Sequence, residues 1–182
     1  MPVLPPHIPG WYVMSAFRRE KQAEDSLVAH GFEVFLPKVT RTVKEPHRRP
    51  RQEEIPAVAT FIFVRAAAGS LTDYKQRVDS RLKFYTVPVA GALRQQPLVV
   101  PDSEMNAFIR LWEERTGVRA EISPWSGIPA AGTRVRVTAG PLQGLEGICT
   151  GRQGRTAVRL SVSLHGLMTV TATLPLSLIA PV

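Results

Sequence analysis

A single cysteine, Cys149, leaves no partner for an internal disulfide and nothing for a multi-cysteine zinc site. The four histidines, His7, His30, His47 and His165, show neither HxH nor HxxxH spacing, so no metal cage and no Cys/His nucleophilic pair is visible. Nucleophile turns of the GxSxG type and phosphate-cradling glycine loops are missing as well. No apolar stretch approaches the ~20 residues of a membrane-spanning helix. Met1-Pro2-Val3-Leu4-Pro5-Pro6 has neither the basic start nor the apolar core of a signal peptide. These absences predict a cytoplasmic protein without membrane contact, metal or cofactor, and they disfavour an enzyme. Acid is also scarce: 15 Asp and Glu face 23 Lys and Arg, a net charge of +8 that favours polyanionic partners such as nucleic acid.

What is present reads as a folded chain, 44% hydrophobic and 21% charged over 182 residues, long enough for one domain or two small ones. Residues 1–9, four of them proline, predict a flexible tail. The run Trp11-Tyr12-Val13-Met14-Ser15-Ala16-Phe17 suits a strand covered on both faces. Ala23, Leu27 and Val28 then fall at helical spacing, and Gly31 stands where a helix end takes a left-handed residue. Phe32–Leu36 is a second strand, stopped at Pro37, and residues 38–56 turn hydrophilic. Within 38–51, Lys38, Arg41, Lys44, Arg48, Arg49 and Arg51 meet one acid, Glu45, for a net of +5 on a hairpin or loop. Val58–Val64 reads as a central strand, apolar on both faces.

Ser70 with Asp73 predicts a helix cap, followed by an apolar stripe of Leu71, Tyr74 and Val78. Leu82–Val89 predicts a strand centred on Phe84 and Tyr85, and Asp102 a cap for a helix with Met105, Phe108, Ile109 and Trp112 on one side. The order β-α-β-β-α-β-α thus fills 10–115. Periodicity then lapses, and Pro124, Gly127 and Pro129 mark a linker over 116–131. In 132–182 four short strands follow, at 133–137, 145–150, 157–164 and 167–174, the third with strict alternation. His165-Gly166 suits a hairpin turn between the last two. A unit this small is expected to close into a barrel, which removes unpaired edges. Val158, Val162, Thr169, Val170, Thr171 and Thr173 favour strands over a helical hairpin in 157–174.

Taken together, Trp11-Tyr12-Val13 with Phe17, Phe32-Glu33-Val34-Phe35-Leu36-Pro37, Phe61-Ile62-Phe63-Val64 and the segment Gly132–Gly147 resemble the NusG transcription elongation factors over about residues 10–182. That family joins an N-terminal α/β NGN domain to a C-terminal KOW domain, an SH3-like β-barrel. The fold class expected from the resemblance is therefore α+β, an antiparallel sheet with helices followed by a small barrel. Where the family has a Phe-Pro-Gly-Tyr turn before the central strand, this chain has Val58-Ala59-Thr60-Phe61, preceded by an insert rich in proline and arginine. In that respect it resembles the specialised RfaH and UpxY type.

The resemblance implies a monomer that docks on the clamp helices of RNA polymerase, touches the non-template strand at the upstream DNA fork, and suppresses pausing or termination. The positions matching the docking surface are Val58, Phe61, Phe63, Phe84 and Tyr85. Arg18, Arg19 and Lys21 match the part facing the non-template strand, and Lys38, Arg41, Arg48, Arg49 and Arg51 add charge suited to DNA. In the barrel, Arg152, Gln153 and Arg155, expected on a glycine-flanked turn, are the candidate contact to a ribosomal small-subunit protein, Rho or RNA. A ribosome-associated or RNA-binding KOW protein without polymerase binding is the alternative.

Overall fold

The computed structural model describes residues 8–43, 49–58, 60–88, 94–113, 121–124, 132–153, 157–164 and 168–182. The chain divides into two units, Met1–Val100 and Pro101–Val182. Together they make an α+β protein of three helices and antiparallel sheets.

In the first unit, β1 (Gly10–Ser15) is the hub of a five-stranded sheet. It pairs with β5 (Phe61–Ala66), whose far side takes β2 (Glu33–Phe35). On its other edge β1 takes β6 (Lys83–Phe84) and β9 (Val99–Val100). Helices α1 (Glu20–Ala29) and α2 (Ala68–Arg77) cover one face. Alternation decides which side chains they meet: Tyr12 and Met14 of the first strand, Ala16 just after it, and Ile62, Val64 and Ala66 of the central one pack with Ala23, Leu27, Leu71 and Tyr74. Trp11, Val13 and Phe63 point to the opposite face and are also buried, so the central strands bury apolar side chains on both faces, as the sequence predicts. Gly31 leaves α1 at φ 81, a conformation that a Cβ would make costly.

Between the second and central strands the chain forms a separate two-stranded ribbon, β3 (Lys38–Val43) with β4 (Arg51–Pro56), paired from Lys38↔Pro56 to Val43↔Arg51. The helix expected to be capped by Ser70 starts two residues earlier, at Ala68; Ala67 precedes it in an extended conformation and donates no side-chain cap. The strand expected over Leu82–Val89 breaks at Tyr85 into β6 and β7 (Thr86–Val87), the latter paired with β8 (Gln96–Pro97). The break arises because the Tyr85 amide turns to donate to the Val13 carbonyl while the Tyr85 carbonyl accepts from Leu98.

In the second unit, α3 (Asp102–Glu113) packs on β13 (Ala157–Leu164) and β14 (Met168–Pro175). It therefore groups with the C-terminal unit, whereas the sequence pattern assigns it to the end of the first domain. It buries Met105, Phe108, Leu111 and Trp112; Leu111 takes the place the periodicity gave to Ile109, which is half-buried. The strands run in the order β10 (Glu121–Pro124), β14, β13, β12 (Glu146–Gln153), β11 (Arg134–Val137), β15 (Ile179–Pro181). The first of these falls inside the stretch expected to be a bare linker and pairs with β14 through Ile122↔Val170 and its neighbours. Residues 157–164 and 168–175 are strands, as their β-branched alternation predicts. Among the described residues no ladder joins the two end strands, so pairing runs along an open sequence of six. Leu160, Val162, Leu164, Val170, Ala172 and Leu174 form its buried side with Val135, Val137, Leu142 and Leu145. No described helix is long and apolar enough to cross a membrane.

Candidate functional site

One end of the β1–β5 pair collects the unusual backbone of the first unit. Phe17 and Arg18 follow β1 at φ 49 and 65, and Thr60 enters the central strand at φ 94. All three are non-glycine residues in left-handed conformations, and a β-branched side chain there is a genuine outlier. Thr60 is also the residue that occupies the glycine position of the turn noted above. Glu20, 5% exposed, holds this end together: one carboxylate oxygen accepts the amides of Arg18 at 2.9 Å and Thr60 at 2.7 Å. Sequence reasoning missed this acid, because a lone glutamate at the start of a helix looks like any solvated one.

Beside it lie the residues expected to dock a partner. Phe61 and Tyr85 meet edge to face with ring centroids 5.1 Å apart, both half-buried, on the sheet face away from α1 and α2. Val58, half-buried, sits in a bend ahead of the strand rather than within it. Phe63 shares their face but is 0% exposed and lies 6.4 Å from the Phe35 ring, so it belongs to the core and not to the open surface. Phe84 is on the other side, 5.6 Å from the Tyr12 ring and packed against the helix-covered core. The geometry thus joins Phe61 to Tyr85, leaves Phe63 buried on the same face and puts Phe84 on the other.

The basic residues divide in a similar way. Arg18 and Lys21 are exposed. Arg19 is committed to Asp79, with one guanidinium nitrogen 3.2 and 3.1 Å from the two carboxylate oxygens. Burial alone would raise the Asp79 carboxyl, but hydrogen bonds from Arg19 and the Arg81 amide, with both guanidinium charges, hold it below the usual carboxylate range. On the ribbon, Lys38 reaches Glu24 of α1 at 2.5 Å. Arg41 stands across from Glu53, and Arg51 across from Val43. Arg49 is exposed just ahead of β4, while Arg48 lies outside the described residues. The charge counted over 38–51 is therefore diluted by Glu53 and Glu54 on the returning strand.

In the second unit, Arg152 and Gln153 belong to β12, opposite Val158 and Ala157, and not to a turn; Arg155 lies outside the described residues. Arg134 and Arg136 both bond Glu146, at 3.0 and 2.9 Å. Arg110 of α3 donates to the carbonyls of Pro141 and Gln143, each at 3.0 Å, tying the helix to that turn. Cys149 is half-buried in β12 and is a free thiol.

No family model matches this chain, and no curated protein matches it. Among solved structures it is similar to one described as "Domain interaction in Thermotoga maritima NusG", with a TM-score of 0.49, 19% identity, and coverage of 98% of this chain and 99% of that one. A likeness of this degree assigns neither a family nor an activity.

Proposed function

We propose that this protein is a transcription elongation and antitermination factor that binds RNA polymerase through its N-terminal unit and suppresses pausing or termination. The observation that carries the reading is the half-exposed pair of Phe61 and Tyr85, on the sheet face away from the helices. Aromatic side chains left partly in water and backed by a rigid core make the anchors of protein interfaces. They coincide with positions where the sequence resembles the docking surface of the NusG factors. The partner on this reading is the clamp helices of the polymerase, with the exposed Arg18, Lys21, Arg49 and Arg51 toward the upstream fork and its non-template strand. The C-terminal strands, with the exposed Arg159, are the part that meets a ribosomal protein, Rho or RNA. Thr60 in the glycine position favours a specialised factor working on particular operons.

The mechanism is a shift of populations without bond chemistry: ~1.4 kcal/mol of preferential binding to the active polymerase changes a pause equilibrium tenfold. The test is in vitro transcription on a pausing template with the full-length protein, together with capture from a bacterial lysate. Shortened pauses and recovery of polymerase subunits are expected. Recovery of ribosomal RNA alone, with pausing unchanged, would replace this reading by that of an RNA-binding KOW protein.

A further inference from the structure

The C-terminal sheet ends on a strand unlike its neighbours. β10 is only Glu121-Ile122-Ser123-Pro124, and its register runs from Glu121↔Thr171 to Pro124↔Met168, half of the eight-residue β14. Proline has no N–H to give to a ladder, and within sheets it belongs to edges. β10 stands outermost in the strand order, so its departure breaks one short ladder and leaves the other five strands paired as they are. An acid and a proline on a short strand are features by which proteins blunt a sheet edge.

The edge beneath it has no such protection. From Met168 to Leu174, β14 contains no charge, no glycine and no proline, and it pairs with β13 residue for residue without a register shift. Val170, Ala172 and Leu174 are buried on one side. Thr169, Thr171 and Thr173 alternate with them on the other, where the Thr171 hydroxyl meets that of Ser161 at 3.0 Å. A long, regular, uncharged edge is a template for another strand. The alternation decides which strand fits. An antiparallel copy of β14 centred on Thr171 sets Thr171 against itself, Thr169 against Thr173 and Val170 against Ala172. Threonine then meets threonine and apolar meets apolar, with no like charges opposed. A strand with charges along it finds nothing on this edge to pair them with.

We propose that the β14 edge is a latent interface for a second copy of this chain, and that β10 is the strap that keeps it closed. The strap belongs to the same chain, so its effective concentration at the edge exceeds that of free protein in dilute solution, and the closed monomer is the resting state. Its release exchanges a short ladder containing proline for one that runs from Met168 to Leu174 of both copies.

The experiment is sedimentation of the full-length protein at micromolar concentration, with circular dichroism to show that each variant is folded. Wild type is expected to be a monomer. Successive residues of a strand turn their N–H groups to opposite sides, so one of Ile122→Pro and Ser123→Pro removes a ladder bond. That variant is expected to sediment as a dimer; if both unfold, replacement of residues 121–124 by Gly-Ser-Gly-Ser opens the edge without a new proline. Thr171→Lys stands opposite Glu121 in the closed chain but opposite its own copy in the dimer, and is expected to return the opened variant to a monomer. With Cys149→Ser to remove the native thiol, Thr171→Cys is expected to cross-link the opened variant, since facing Cβ atoms lie ~4.5–5.5 Å apart. Folded opened variants that all remain monomeric overturn the proposal. So does a dimer that survives Thr171→Lys or fails to cross-link through Thr171→Cys, and a wild type already dimeric shows that β10 closes nothing.

Discussion

The Glu20 carboxylate accepts the Thr60 amide at 2.7 Å across forty residues of sequence, linking the start of α1 to the entry of the central strand. The same oxygen takes the Arg18 amide, so one buried acid supports strained backbone on two segments at once. Such backbone persists only where its surroundings over-determine it.

Replacing Thr60 with glycine is expected to stabilise the protein. A left-handed residue costs ~1–2 kcal/mol, and the added freedom of glycine in the unfolded chain returns roughly 0.5–1 kcal/mol of that. A net gain of about 1 kcal/mol in denaturant unfolding is expected at φ 94. A loss of stability would mean that the threonine side chain makes contacts worth more than the strain.

Phe61 and Phe63 are expected to part company on truncation. Phe63→Ala removes a fully buried ring and is expected to cost ~3–5 kcal/mol of stability. Phe61→Ala with Tyr85→Ala is expected to unfold at nearly the wild-type midpoint while polymerase affinity falls by ~2 kcal/mol or more per ring. Unchanged affinity in a folded double variant would remove these rings from the interface.

The ion pair between Arg19 and Asp79 predicts a pH dependence. A carboxyl held below its unfolded value of ~3.9 contributes stability above that pH, and the contribution is lost as pH falls through the lower folded value. Wild type is expected to exceed Asp79→Asn by about 1 kcal/mol at neutral pH. The gap should stay level above roughly pH 5 and close under more acid conditions. A gap independent of pH would assign the effect to packing.

Two glycines of the C-terminal unit are expected to tolerate no side chain. A Cβ on Gly147 would stand 2.7 Å from the Ser161 carbonyl oxygen, and one on Gly132 2.1 Å from that of Cys149. Backbone atoms in a paired ladder cannot step aside, so Gly147→Ala is expected to shift the β12–β13 register or unfold the unit, seen as lost amide protection in 146–164. Native-like protection would show the ladder to be softer than its geometry.

Much of the fold was legible because period and punctuation agree. The double-sided apolar runs through Trp11 and Phe61 place the central strands, and Gly31 ends its helix where a left-handed residue is wanted. Pairing across long separations was not legible. Nothing in the sequence near Arg19 points to Asp79, and the charge of the ribbon looked larger because Glu53 and Glu54 return opposite it only once the strands pair. Alternation located Phe61 and Phe63 on one face but could not tell which was covered. The break at Tyr85 depends on hydrogen bonds to Val13 and Leu98, contributed by two other segments.

The ribbon of β3 and β4 is paired only to itself among the described residues, and this sets how its reach can vary. Each added cross-strand pair extends it by ~3.4 Å without touching the five-stranded sheet. Residues are gained in matched couples, and every single couple reverses the side on which the tip presents its groups. Relatives of different length would thus alternate between an Arg41-like face and a Thr42-like one, so parity of the insert, more than its total charge, fixes what the tip offers to whatever it meets.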